Sequence, residues 1–178
     1  MSKVIGDKTV FAVEYSFIDD KETELYMYHE NKNILEFIRK ENTFTTRWNL
    51  DSIASWLRGF LDNMCEDPYP VVADGEYAAQ KDISAREFDS DDDEEFDAYY
   101  DKLDEWNQRH RWHYASDGAI IADVYFQQVG NKVELSWNNN DLYEGVNFSS
   151  VLGGCSIDKD TFVIVVEEFL KDYAERGL

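Results

Sequence analysis

The chain reads as an α+β protein, an antiparallel sheet packed by about three helices in a single domain spanning residues 1–178. Three observations predict this. Apolar–polar alternation marks strands near both ends of the chain, and apolar residues recur at helical spacing after Asn49 and again after Asp158. Between those two helices lies an acidic run whose second half also has helical spacing, so strands and helices come in blocks rather than in strict βαβ alternation. Hydrophobic residues make up 43% of the chain and aromatics 15%, enough for one aromatic-rich core at this length.

The first strand is expected over Lys8–Asp19, with Phe11, Val13, Tyr15 and Phe17 on one face. A polar turn at Asp19-Asp20-Lys21 leads into a second strand over Glu24–Glu30. A short third strand is expected over Ile34–Arg39, and Thr43–Trp48 is either a further strand or an irregular approach to the next helix. That helix is marked by Leu50, Ile53, Ala54, Leu57, Phe60, Leu61 and Met64 on one arc, with Asn49 or Asp51 as its cap. Trp56 falls at the edge of the apolar arc, and Gly59 falls on the polar side with no packing reason for a glycine. Both prolines, Pro68 and Pro70, stop this helix, and the stretch up to Ser84 reads as a surface connection.

Beyond Gly118, Ala119–Gln128 and Lys132–Trp137 form a hairpin around Gly130-Asn131, followed by a polar loop from Asn138 to Asp141. A strand over Gly145–Leu152 is expected to end at Gly153-Gly154, which reads as a turn toward the last helix. Asp158 is the expected cap of that helix, whose Phe162, Val165, Val166, Phe169, Leu170 and Tyr173 share one broad apolar face.

The acidic run, residues 87–105, holds eleven carboxylates against a single lysine, a formal −10 out of −21 for the whole chain. At about 100° per residue, Asp93, Asp97, Asp101 and Asp104 fall within about 80° of one another, with Glu94 beside them. Phe96, Tyr99, Tyr100, Leu103, Trp106 and His110 gather on the opposite side, so the run continues into a helix that docks through aromatic side chains and extends to about Tyr114. Asp91, Asp92 and Asp93 stand at its N-terminus, where negative charge is favoured and a carboxylate can cap free N–H groups. Asp89, Asp91, Asp92, Asp93, Glu94, Asp97, Asp101 and Asp104 are therefore the candidate partner-binding residues.

An acidity of this size repels nucleic acid and anionic membrane surfaces, and it speeds encounter with a basic protein. Catalytic patterns are missing: there is no G-x-S-x-G, no phosphate loop after Gly153-Gly154, and no local signature around Cys155. An EF-hand beginning at Asp89 needs glycine at its sixth position and glutamate at its twelfth, where the chain has Glu94 and Tyr100. His110 and His113 lie between and beside Arg109 and Arg111, a positive setting that disfavours a cation. The expectation is a protein that is not an enzyme, with no cofactor and no metal. Cys65 and Cys155 lack metal-ligand spacing and read as reduced thiols. No apolar run reaches the length of a membrane span and the N-terminus lacks the apolar core of a signal peptide, so a cytoplasmic location is expected.

Trp48–Leu57 (WNLDSIASWL), Gly118–Asn139 (GAIIADVYFQQVGNKVELSWNN) and the later GGCSIDKDTFVIVVEEFL resemble segments of small acidic bacterial proteins of toxin–immunity and defence loci. These segments cover less than half of the chain. The resemblance implies an intracellular antidote that binds and blocks a cognate toxin, often a basic nuclease, and it transfers no site residues. Physical reasoning adds that a nuclease must present positive charge to phosphates, so an inhibitor gains by presenting carboxylates to the same surface. Two alternatives stay open at this point: a nucleic-acid-mimicking inhibitor of a DNA-binding defence enzyme, and a non-catalytic accessory protein whose acidity serves solubility.

Overall fold

The computed structural model describes residues 2–19, 22–115 and 118–176. In chain order the elements are β1 (Lys3–Asp7), β2 (Phe11–Phe17), β3 (Thr23–His29), β4 (Lys32–Asn33), β5 (Phe37–Arg39), β6 (Asn42–Phe44), β7 (Thr46–Trp48) and α1 (Asp51–Glu66). There follow α2 (Ala78–Ala85), α3 (Asp93–His110), a short 3-10 turn (Trp112–Ala115), β8 (Val124–Val129), β9 (Lys132–Asn138), β10 (Asn147–Phe148), β11 (Leu152–Asp158) and α4 (Lys159–Glu175). All strand pairs are antiparallel, in three sheets: β1-β2-β3-β4 with β7 also on β3, β10-β5-β6, and β11-β9-β8. The α+β class expected from the sequence is the one observed, with four α-helices among the described residues where about three were expected.

The alternation in β2 and β3 sends Phe11, Val13, Tyr15, Leu25 and Met27 inward, where they meet Phe162, Val166 and Phe169 of α4 and Leu57 of α1. Full burial of each such side chain contributes roughly 1.5–3 kcal/mol. The opposite face of the same sheet is wet and carries the Lys8–Glu14 ion pair and the stacked rings of Tyr26 and Tyr28. Tyr15 is tied to α4 through a 2.5 Å hydrogen bond to Asp172, whose carboxylate also pairs with Lys3 and Arg176. The first three residues assigned above to the opening strand, Lys8 to Val10, form instead the turn of a β1–β2 hairpin: Val10 N–H donates to Asp7 O, and Asp7 Oδ1 accepts from Thr9.

The third sheet is covered on both faces. Val124 and Phe126 of β8 and Val133 and Leu135 of β9 face the main core with α1 and α4, while Tyr125, Glu134 and Ser136 face α2 and are also buried. An alternating strand pair ordinarily leaves its polar face in water. Here α2 covers it. This helix lies in the stretch expected to be a surface connection, and it has no local N-cap; its first amides donate to Glu134 Oε1 (Ala78 N, 2.8 Å) and Ser136 Oγ (Ala79 N, 3.1 Å) on β9. Ala78 and Ala79 are fully buried there, small enough for the helix to sit directly on the sheet.

Other expectations are corrected in the same region. Gly153 and Gly154 do not break a strand but lie inside β11, opposite Trp137 and Ser136. A Cβ on Gly154 would stand 2.6 Å from the Tyr77 ring and one on Gly153 3.2 Å from the Trp137 indole, so both glycines make room for aromatic rings. Of the strand expected over Ala119–Gln128, only Val124 onward enters the ladder; Asp123 N–H and Ile121 are held by the Asn139 and Tyr143 side chains instead. Asn139, placed above in a polar loop, is buried and bridges Asp123 N and Ser150 O at 2.7 Å each. Asp158 occupies the N-cap position of α4 but makes no capping hydrogen bond. Of Ile34–Arg39, the last three residues are a strand while Ile34 and Leu35 are buried in the preceding turn; Thr43–Trp48 supplies parts of two short strands, β6 and β7, parted at Thr45.

Cys65 and Cys155 are buried and form no disulfide, and burial pushes their thiols up to about 11 and about 12. Among the described residues no helix is long and apolar enough to cross a membrane.

Candidate interaction surface

Three aspartates open α3 with different roles. Asp92 is the N-cap: its Oδ1 accepts from the amides of Glu94 at 3.0 Å and Glu95 at 3.2 Å. Ser90 Oγ supports this arrangement by donating to Glu95 at 2.7 Å and accepting from Asp92 N–H. Asp91 and Asp93 stay free at the positive end of the helix dipole, a favourable place for charge.

All eight candidate residues, Asp89, Asp91, Asp92, Asp93, Glu94, Asp97, Asp101 and Asp104, are exposed. The stripe from Asp93 to Asp104 runs along about 16 Å of helix at 1.5 Å per residue. None of the ion pairs among the described residues uses a side chain from 87 to 105. Those ion pairs place Lys3, Lys8, Arg47, Arg86, Arg109, Arg111 and Arg176 on Asp172, Glu14, Glu22, Asp82, Asp67 and Asp123, so the acids of the helix take no part in them.

The helix is anchored unevenly. Its buried residues, Leu103, Trp106, Asn107 and His110, all lie in the second half, so residues 93–102 stand out from the body. This outer half is braced by the segment from the end of α2 and by contacts of its own: Phe88 stacks on Tyr99 at 3.9 Å, Tyr100 OH is shared between the carbonyls of Arg86 (3.1 Å) and Phe88 (3.0 Å), and Phe96 packs on Tyr100 at 4.7 Å within the helix. The aromatic side anticipated for docking therefore divides. Leu103, Trp106 and His110 face the body, while Phe96 remains 36% exposed next to the acids.

The inner half is clamped by a buried ionic network that sequence reasoning missed. Arg111 makes a two-pronged contact with Asp123 at 2.6 and 2.7 Å. Asp82 of α2 accepts from Arg86 (3.0 Å), from Asn107 of α3 (3.2 Å) and from Tyr125 OH of β8 (3.1 Å). Two carboxylates and two guanidiniums thus balance where α2, α3 and β8 meet, with Asp82 and Asp123 4% and 2% exposed. Apart from the local Asp82–Arg86 pair, the partners are 12 to 43 residues apart in sequence, and no local pattern links them. Reaching Asp123 and bridging to Tyr125 draws Arg111 into extended backbone, which ends the helix at His110 rather than at about Tyr114. Trp56 Nε1 adds a 2.8 Å bond from α1 to Gln108 O.

His110 is fully buried, stacked on Trp106 at 4.2 Å, with Nδ1 donating to Phe126 O at 2.7 Å. Burial holds its pKa below the ordinary histidine value, and His113 is lowered by burial too. Glu134, beneath the α2 N-terminus, is shifted the other way: burial pushes its carboxyl above the usual range, against the pull of the Ala78 amide. Among the described residues no three or more His, Cys, Asp or Glu side chains converge as a metal site.

The fold and this surface define an α+β domain with an exposed acidic helix anchored through its buried second half. No protein-family model, curated protein or solved structure matches the chain.

Proposed function

We propose that the protein is an acidic inhibitory binding protein, an immunity protein that neutralises a basic toxin, in particular a nuclease, by direct contact through the outer half of α3. The observation that carries this reading is the row of exposed carboxylates, Asp93, Glu94, Asp97, Asp101 and Asp104, none of which takes part in an ion pair among the described residues. Carboxylates held on a helix are preorganised, so a basic partner meets them without the cost of ordering a tail. Their field steers encounter, and a guanidinium or ammonium that reaches them displaces no internal ion pair. Phe96, Tyr99 and Tyr100 lie along the same outer half and give an aromatic contact next to the charge, the combination found at energetic centres of interfaces. Burial of the inner half fixes the helix, and the neutral ionic clamp at its root leaves the outer charge uncompensated.

The test is reversal of Asp93, Asp97 and Asp101 together to lysine. With the toxin captured from the native host, the reversal is expected to slow association and flatten its salt dependence, and to abolish protection of plasmid DNA or RNA substrate. The exposed positions predict an unchanged unfolding midpoint. Association kinetics equal to those of the parent chain reject the assignment.

A further inference from the structure

A second surface has the opposite character. Between the β6–β7 run and the extended segment after Gly118 lies a cleft of about 320 Å³, floored by Phe37, Phe44, Trp48 and Ile120 and flanked by Arg39 and Arg47. Phe44 and Trp48 are 45% and 38% exposed, unusually open for aromatic side chains next to a well-filled core. Arg47 is held by Glu22 at 2.7 Å, but Arg39 and its neighbour Lys40 are exposed and have no ion-pair partner among the described residues. In a chain with 38 acids and 17 bases, two unpaired cations next to an open aromatic cleft run against the general balance.

The strands around the cleft also each have one edge without a strand partner among the described residues. Among the described strands, β6 is the outer strand of its sheet and β7 pairs only with β3. An exposed strand edge next to an apolar recess is the arrangement that accepts an added extended chain, with main-chain hydrogen bonds for affinity and the recess for side-chain choice. The recess has room for one bulky side chain and part of its neighbour, and the guanidinium of Arg39 is placed to meet a carboxylate beside it.

We propose that this cleft is a second docking site, for an extended segment of a partner polypeptide that presents one bulky apolar side chain next to a carboxylate. The chain's overall negative field opposes a strongly acidic ligand, so selection rests on a single carboxylate at close range and not on a run of acids. This site does not depend on the reading of the acidic helix, and an acidic-helix variant leaves it intact.

The experiment is selection of a displayed library of random short peptides on the intact protein carrying the Asp93/Asp97/Asp101 reversal, so that basic peptides are not drawn to α3. Enriched peptides are then synthesised and titrated against the parent chain and against Arg39→Glu and Phe44→Ala. The expected result is enrichment of an aromatic or branched aliphatic residue adjoining Asp or Glu. Affinity should fall by about tenfold or more in Arg39→Glu, as befits loss of a charge-assisted contact. Amide chemical-shift changes should concentrate in residues 37–48 and 118–120, a readout that does not depend on either variant. No enrichment, enrichment without a carboxylate, or affinity indifferent to Arg39→Glu overturns the proposal.

Discussion

Asp92 and Asp93 are adjacent, identical and both exposed, yet one serves the fold and the other faces solvent. Replacing Asp92 by alanine is expected to cost α3 about 1 kcal/mol, the usual worth of an N-cap. No residue of the outer half is buried, so that loss stays local: amide exchange over 93–100 should quicken while the global unfolding midpoint hardly moves. Arg111→Ala acts at the other extreme. It leaves Asp123 buried without its counter-charge, while Asp82 keeps Arg86, and denaturant unfolding is expected to show a loss of about 3–5 kcal/mol. Gly59, mid-way along α1 and exposed, has nothing within 4 Å of where a Cβ would stand. Gly59→Ala should therefore stabilise by about 0.5–1 kcal/mol, as the helical pattern alone already indicates. For His110, the folded-state pKa lies below the unfolded one, so the unfolded chain binds the proton more readily. That contribution to stability is present above the unfolded histidine value of about 6.5 and is lost as pH falls below it. His113 acts in the same sense. Unfolding free energies measured between neutral pH and the onset of carboxylate titration should decline less steeply for His110→Phe, which keeps the stack on Trp106, than for the parent chain.

At the scale of elements, the strongly patterned segments were legible: β2, β3, α1, α4 and the helical half of the acidic run each carry a period that tertiary structure did not override. What escaped has a common cause. The stretch that forms α2 is eight residues with only alanines as its buried apolar side chains, and its first amides are capped from β9, so neither amphipathicity nor a local cap announces it. Gly153-Gly154 reads as punctuation because glycine is ambiguous in one dimension; the Tyr77 and Trp137 rings that explain it are distant in sequence. The same contact supplies a test. Gly154→Ala forces the Tyr77 ring away and should destabilise by about 1–3 kcal/mol, the usual cost of overpacking, with faster amide exchange appearing first in α2.

Over the whole molecule, the candidate surface was readable as charge and not as architecture. The eight acidic positions are all exposed, because burying a carboxylate stripe without paired cations is costly. The division of α3 into a clamped root and a free outer half was not readable, since the clamp joins residues 82, 86, 107, 111, 123 and 125 through space. In the proposed reading this division is what makes the acidic helix usable: its packed half anchors the exposed, charged half. The most direct test is a paired pull-down from native-host lysate with the parent chain and the Asp93/Asp97/Asp101 lysine variant, loaded at low salt, eluted with high salt and read by mass spectrometry. The account predicts one basic protein retained by the parent chain, released by salt and lost from the variant, with nuclease activity that the parent chain suppresses. If no basic protein distinguishes the two baits, the acidic helix is a solvated face and the central claim is wrong.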